Sequence, residues 1–227
     1  MALTKVKPGG IHADLSSAIS GSANASAISG SHTSGFEFAG TVSGSSISTG
    51  SFGRVEVAGN LTVTGTDNVG ITTASQWRLA TTFTTGGAFI TSNLEEVDAP
   101  AGYSTMGSGM GESSGVFSFP STGYWLILFN TQIYYDTDRR YCLAQIHTTV
   151  DDGTYLEAST SLNQILGGTL ALHSYGSMAL HYIFDVTSVS THKVKFKVGG
   201  VEDDPIASLG ESGANYTSMV FIRLGDT

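Results

Sequence analysis

The sequence predicts an all-β protein in two parts, a β-rich stalk at the N-terminal end and an antiparallel sandwich at the C-terminal end. Three observations lead to this fold class. Apolar and polar residues alternate in short segments along the chain, as they do in strands with one buried face. No segment shows the periodicity and the caps of a helix of several turns. Charged residues make up only 13% of the chain while Gly, Ser and Thr are abundant, a composition that favours β structure.

The predicted stalk spans residues 15–73. Between Gly9 and Thr66, 30 of 58 residues are glycine, serine or threonine, and the segment ISGS occurs at Ile19 and again at Ile28. Such short repeats are typical of a β-solenoid or of an intertwined triple-stranded β stalk. Because one chain has too little apolar area to offset a backbone entropy of about 1–2 kcal/mol per residue, we predict a trimeric stalk of identical chains wound together. A flexible Gly/Ser linker is the alternative that the sequence leaves open. The residues expected to pack between the chains share one parity: Val55, Val57, Leu61 and Val63.

The predicted head spans residues 74–227 and has a different composition. Aromatic and aliphatic residues form segments of about five to ten residues, each bounded by Gly, Asp, Asn or Ser. Eight or more such strands, with turn signals at intervals of about 8–12 residues, predict an antiparallel sandwich or jelly roll. Because a sandwich exposes strand edges, the formation of a trimer is one way to cover them.

One segment of the head resembles a known family. The run SGVFSFPSTGYWLILFNTQIYY, Ser114 to Tyr135, resembles the segment that carries one central strand into the next in C1q and tumour-necrosis-factor-like jelly rolls. Its Phe-x-x-Pro-x-x-Gly-Tyr pattern begins at Phe117 and ends at Tyr124, and Trp125 stands where the family usually has a second tyrosine. The resemblance implies a C1q/TNF-like jelly-roll head that forms a tight homotrimer with its termini close together.

Two short segments outside the head resemble another family. LTKVKPGGI near the start and GNLTVTGT before the head are similar to pieces of tailed-phage fibre proteins, particularly those of marine phages. Together with the head they imply a homotrimeric virion fibre or spike. Residues 1–14 would attach it to other virion structural proteins, the stalk would project, and the head would bind a glycan or protein of the host surface. The alternatives are a capsid decoration or head fibre without receptor binding, a polysaccharide depolymerase, and a secreted cytokine-like ligand.

Charge and hydropathy disfavour two kinds of partner, nucleic acid and the membrane interior, and indicate where the protein is found. The formal net charge is −9, which disfavours nucleic acid as a partner because phosphate binding relies on clustered cations. Nowhere do about 18 apolar residues run together, so membrane insertion is not expected. The N-terminal segment lacks the apolar core of a signal peptide. We therefore expect assembly in the host cytoplasm and incorporation into a virion.

One mixed cluster of aromatic and charged residues is the candidate binding site of the head. It lies at the end of the segment that resembles the C1q and TNF-like family. Aromatic rings can stack on a sugar while carboxylates and guanidinium groups hydrogen-bond it, and the same set can contact a protein receptor. The alternative is an intersubunit salt bridge with core tyrosines. The residues are Tyr134, Tyr135, Asp136, Asp138, Arg139 and Arg140.

Acidic pairs are the remaining candidates for chemistry. Paired carboxylates can hold calcium or act as acid and base in a glycosidase, and they are also typical of solvated turns. The histidines show no metal-ligand spacing and Cys142 is the only cysteine, so we predict no metal site and leave calcium open. No catalytic residues are assigned, and the chain is predicted not to be an enzyme. The pairs are Asp136 with Asp138, Asp151 with Asp152, and Asp203 with Asp204.

Overall fold

The computed structural model describes residues 70–99, 105–167, 173–200 and 205–227. The predicted attachment segment and the predicted stalk up to residue 69 lie outside the described residues. The residues predicted to pack between the chains of the stalk therefore stay a prediction: Val55, Val57, Leu61 and Val63.

The described residues form thirteen strands in two antiparallel sheets and contain no helix. No helix long and apolar enough to cross a membrane occurs among them. The strands are β1 (Ala74–Leu79), β2 (Thr81–Thr85), β3 (Ala88–Phe89), β4 (Leu94–Glu96), β5 (Gly111–Ser113), β6 (Val116–Ser118), β7 (Gly123–Tyr135), β8 (Arg139–Thr149), β9 (Leu156–Ile165), β10 (Ser174–Val186), β11 (Lys193–Gly200), β12 (Ile206–Glu211) and β13 (Ser218–Gly225).

The order of the long strands is that of a jelly roll. Sheet A places β1, β13, β7 and β10 side by side, with β2, β4 and β12 completing it. Sheet B places β6, β11, β8 and β9 side by side, with β3 and β5 completing it. The chain changes sheets between β6 and β7, β7 and β8, β9 and β10, and β10 and β11, so sheet neighbours are seldom consecutive in sequence. The predicted all-β class with an antiparallel jelly-roll head is confirmed.

The central strand β7 shows how the sequence produces this sandwich. Every second side chain of β7 points into the core, and Trp125, Ile127 and Phe129 are fully buried there. The intervening side chains, from Tyr124 to Tyr134, point to the outer face of sheet A. This period of two is what a strand requires when one of its faces packs on a second sheet.

The segment with the family-like pattern supplies the centre of the core. The ring of Phe117 lies 5.5 Å from the ring of Phe196 and 5.1 Å from that of Phe221. Phe119 lies 5.3 Å from Trp125. These separations are typical of aromatic pairs that add to burial. The segment therefore joins the two sheets through its rings.

A buried arginine fixes one border of sheet A. Arg78 of β1 is fully buried, and its Nε lies 2.7 Å from Oε1 of Glu95 and its Nη2 lies 2.6 Å from Oδ1 of Asp98. Its Nη1 also donates to the carbonyl of Ala99. Because an unpaired buried guanidinium would be costly, these contacts hold the end of β4 and the residues after it against β1.

Candidate binding site

The sequence predicted a binding cluster where β7 passes into β8. Strand alternation separates its two tyrosines, because Tyr134 faces the outside of sheet A whereas Tyr135 packs against the core. Asp136 and Asp138 follow in the connection between the strands and are exposed. Tyr135 therefore does not share a surface with Tyr134.

The two arginines of the predicted cluster begin β8. Arg139 pairs with Ile165 of β9 in the backbone ladder, and Arg140 is exposed. Both residues thus belong to sheet B, whereas Tyr134 belongs to sheet A. The structure divides the predicted set between the two sheets.

Two residues from a distant part of the chain join Tyr134. The rings of His173 and Tyr175 lie 4.6 Å and 5.9 Å from the ring of Tyr134, and 6.3 Å from each other. The Nδ1 of His173 donates a hydrogen bond to the carboxylate of Asp136. We call Tyr134, Asp136, His173 and Tyr175 the aromatic cluster.

The sheet fixes the position of the aromatic cluster. Tyr134 of β7 is directly opposite Tyr175 of β10 in the ladder, and side chains paired in this way are neighbours on one face. Asp138 accepts a hydrogen bond from the backbone nitrogen of Gly167. This contact ties the β7–β8 connection to the residues after β9. The cluster therefore stands on two strands and a braced turn.

Sequence reasoning missed His173 and Tyr175, although a signal for one of them was present. In the segment SYGSMALHYIFDV, alternate residues face outward, and Tyr175 has the outward parity. His173 precedes the strand and had no such signal.

A second surface lies on the same outer face of sheet A, where β10, β7 and β13 run side by side. Two adjacent rows across these strands contain no acidic side chain, and His181 is their one titratable group. Ile183 is 55% exposed, and the other apolar side chains of the rows are half-buried. We call these five side chains the apolar face: Leu126, Leu128, Ile183, Val220 and Ile222.

Polar rows separate the apolar face from the aromatic cluster. Asn130 of β7 lies between Ala179 and Ser218, and Gln132 is opposite Ser177. The two surfaces therefore share one face of sheet A without being continuous.

The outer face of sheet B carries polar groups that contact one another, beside apolar side chains such as Leu162, which is 61% exposed. The Nζ of Lys195 lies 4.0 Å from the centre of the Tyr155 ring, an arrangement typical of a cation–π contact. Burial raises the pKa of Tyr155, and the charge of Asp152 adds to this effect. Burial lowers the pKa of His147, and the charge of Glu157 opposes this effect. We assign no ligand to this face.

One member of a predicted acidic pair, Asp151, caps a turn. The Oδ1 of Asp151 accepts hydrogen bonds from Thr149 Oγ1 at 2.7 Å and from the backbone nitrogens of Gly153 and Thr154 at 2.9 Å. The Thr149 hydroxyl, followed by these backbone groups, lowers the pKa of Asp151. A carboxylate used in this way stabilises the turn between β8 and β9.

Of the other two predicted acidic pairs, one lies among the described residues. Asp136 and Asp138 contact His173 and Gly167 as described, and the pair at residues 203–204 lies outside the described residues. Within the described ranges, no group of three or more His, Cys, Asp or Glu side chains is placed to hold a metal ion. Calcium binding therefore stays an open prediction.

A polar cavity of about 450 Å³ lies beside the last residues of β13, and its lining includes Gly70, Ser121 and Arg223. The Nε of Arg223 donates to the carbonyl of Thr122 at 2.8 Å, and its guanidinium also pairs with Asp226. The guanidinium thus joins the final residues of the chain to the segment that precedes β7.

The chain was compared with known families, curated proteins and solved structures, and only solved structures are similar to it. No protein-family model matches the chain, and no curated protein matches it. The chain is similar to Eiger TNF from S. frugiperda, at 13% identity and a TM-score of 0.49, over 68% of this chain and 93% of that one. It is also similar to murine APRIL in a crystal structure at pH 5.0, at 12% identity and a TM-score of 0.47, over 67% of this chain and 98% of that one. Both likenesses concern the jelly-roll fold alone.

Proposed function

We propose that the chain is a non-enzymatic structural protein of a virion, a homotrimeric fibre or spike whose head binds the host surface. The observation that carries the proposal is the apolar face. The run WLILF, residues 125–129, is apolar at every position, a pattern typical of a strand buried on both faces. In a single chain only the inner side chains of this run are fully buried, and Leu126 and Leu128 remain half-buried.

A further copy of the chain is the partner that suits the apolar face. At a net charge of −9, copies of the chain repel one another over much of their surface. The apolar face has no acidic side chain in its rows, so copies can approach there and remove apolar area from water. The number three follows from the C1q and TNF-like resemblance of Ser114 to Tyr135.

The edge of sheet A supports the same arrangement. Strand β10 pairs with β7 alone among the described strands, so it presents an open edge next to Ile183 of the apolar face. Open edges invite uncontrolled strand pairing, and a closed ring of copies covers them.

The virion role and the host contact rest on further features. The segments LTKVKPGGI and GNLTVTGT resemble tailed-phage fibre proteins, and the aromatic cluster gives the head an exposed surface for recognition. The carboxylate of Asp151 serves a turn, which favours a structural protein over a depolymerase.

The first test is the mass of the full-length protein by sedimentation equilibrium and light scattering over a range of concentrations. We expect a trimer at the lowest concentration measured, because three apolar faces would be covered at once. A monomer throughout would contradict the proposal. Mass spectrometry of purified particles that carry the gene should then detect the chain, and its absence from such particles would contradict the virion role.

A further inference from the structure

The aromatic cluster exposes half or more of the side-chain surface of three of its four members. Tyr175 is 62% exposed, and the side chains of His173 and Asp136 are 50% and 68% exposed. Tyr134 and Tyr175 are held opposite each other by the β7–β10 ladder, so the two tyrosines are neighbours on one face before any ligand arrives. A prearranged surface loses little conformational freedom on binding.

The spacing of the rings limits the kind of ligand. Tyr134 lies 4.6 Å from His173 and 5.9 Å from Tyr175, so the rings are already in contact with one another. A quaternary ammonium is enclosed between separated aromatic rings, and these rings leave no such gap. A ligand must instead lie flat on the outward surface of Tyr175.

The polar groups beside the rings supply hydrogen bonds of both kinds. Asp136 offers carboxylate oxygens as acceptors, and it also holds the imidazole of His173 in one orientation. The tyrosine hydroxyls can donate and accept. A ligand with one apolar surface and a rim of hydroxyl groups satisfies both the rings and these polar groups.

We propose that the aromatic cluster binds a neutral saccharide of the host surface, with one sugar ring stacked on Tyr175 and its hydroxyls hydrogen-bonded to Asp136 and His173. The inference rests on the proposed function, because it names the ligand of the host-binding head. The carboxylate of Asp136 disfavours anionic sugars. A patch of four side chains also suits a single sugar better than a protein partner, whose stable contacts cover about 800 Å² per side.

The polar rows separate the proposed saccharide site from the proposed assembly surface. Asn130 and Gln132 separate Tyr134 from the apolar face, so a homotrimer assembled through that face leaves the aromatic cluster open to solvent. Removing the ring of Tyr175 should then affect saccharide binding and leave the trimer intact.

The experiment uses the full chain and saturation-transfer NMR, with the methyl glycosides of glucose, galactose and mannose and with N-acetylglucosamine as probes. Tyr175→Ala removes the stacking ring, and Tyr175→Phe keeps the ring but not the hydroxyl. Tyr216→Ala is the matched control, since Tyr216 is a 41% exposed tyrosine outside the cluster. Sedimentation of each variant reports its assembly.

We expect at least one probe to bind, and Tyr175→Ala to weaken it by about tenfold or more. The Tyr175→Phe and Tyr216→Ala variants should stay within about threefold of the unmodified chain. Unchanged binding in Tyr175→Ala would overturn the proposal, and so would dissociation of its trimer, which would make Tyr175 an assembly contact. If Tyr175→Ala lost attachment to host cells while no probe bound or competed, the ligand would be a protein and the saccharide class would be wrong.

The same measurements separate this inference from the proposed function. A trimer that binds none of the probes would overturn the saccharide site and leave the trimeric fibre in place. A monomer whose probe binding depends on Tyr175 would support the site and contradict the proposed assembly.

Discussion

Replacing Ile183 by lysine should dissociate the proposed homotrimer. Ile183 belongs to the apolar face and is 55% exposed in the single chain, so about half of its side chain is available for burial between copies. Complete burial of an isoleucine contributes about 1.5–3 kcal/mol, which leaves roughly 1 kcal/mol per chain for this fraction. Three chains then lose about 3 kcal/mol, or roughly 100-fold in the dissociation constant.

The expected shift in concentration is smaller than the shift in the constant. The dissociation constant of a trimer into monomers has units of concentration squared, so roughly 100-fold in the constant moves the midpoint by about tenfold. This figure is a lower limit, because the new ammonium group must also reach water. Sedimentation equilibrium across a dilution series measures the midpoint.

A matched control tests whether the position or the new charge is responsible. Leu162 of β9 is 61% exposed and lies on sheet B, so Leu162→Lys introduces the same charge at a similar exposure away from the apolar face. Its midpoint should equal that of the unmodified chain. Equal dissociation by both variants, or no dissociation by Ile183→Lys, would refute the reasoning.

Three further predictions concern the stability of the head. Arg78→Met should lower the free energy of unfolding by about 1–3 kcal/mol in chemical denaturation, because charged hydrogen bonds are lost while Glu95, about a third exposed, can still be solvated. Burial lowers the pKa of His147, because the folded state favours the neutral imidazole. The stability that this group contributes is fully present above about pH 6.5, and it is lost as the pH falls through the lowered pKa. His147→Gln should flatten that part of the stability profile. Gly115 has a φ of 81°, and an added Cβ would lie 2.0 Å from the carbonyl oxygen of Ile90. Gly115→Ala should therefore lower the free energy of unfolding by more than about 1 kcal/mol in chemical denaturation.

Local pattern was sufficient to predict the sandwich. In β11 the alternation of Val194, Phe196 and Val198 with lysines is set by strand geometry, and the sequence shows it without any knowledge of neighbours. Turn residues then divide the chain into strands of ordinary length. Fold class was accessible because the features that indicate it, the period-two pattern and the turn residues, are local in the sequence.

The aromatic cluster was only partly predictable, because its members come from two distant strands. Tyr134 and Asp136 were assigned from one mixed segment, but Tyr175 joins them through the pairing of β7 with β10. Such pairing depends on the order of strands in the sheet and on register. A one-residue shift in register would place Tyr175 on the opposite face of β10.

The apolar face was hidden for a different physical reason. The run from residues 125 to 129 indicates burial on both faces, and sequence alone does not say whether the same chain or another copy supplies the second cover. In the structure the same chain does not supply the second cover, because Leu126 is only half-buried and Ile183 beside it is exposed.

Assembly and recognition on one sheet face should be separable by a single substitution. In the proposed assembly, three saccharide sites held on one trimer would gain about 10²–10⁴ in avidity without any change at each site. Ile183→Lys lies on the apolar face, beyond the polar rows from Tyr175, so it should remove this gain and leave the intrinsic site intact. We therefore expect this variant to bind a soluble methyl glycoside as the unmodified chain does, by saturation-transfer NMR, while its retention on a glycan-coated surface falls by about 10²-fold or more. Loss of soluble binding in this variant would mean that the aromatic cluster is completed by a neighbouring copy, because only then does a monomer lack the site.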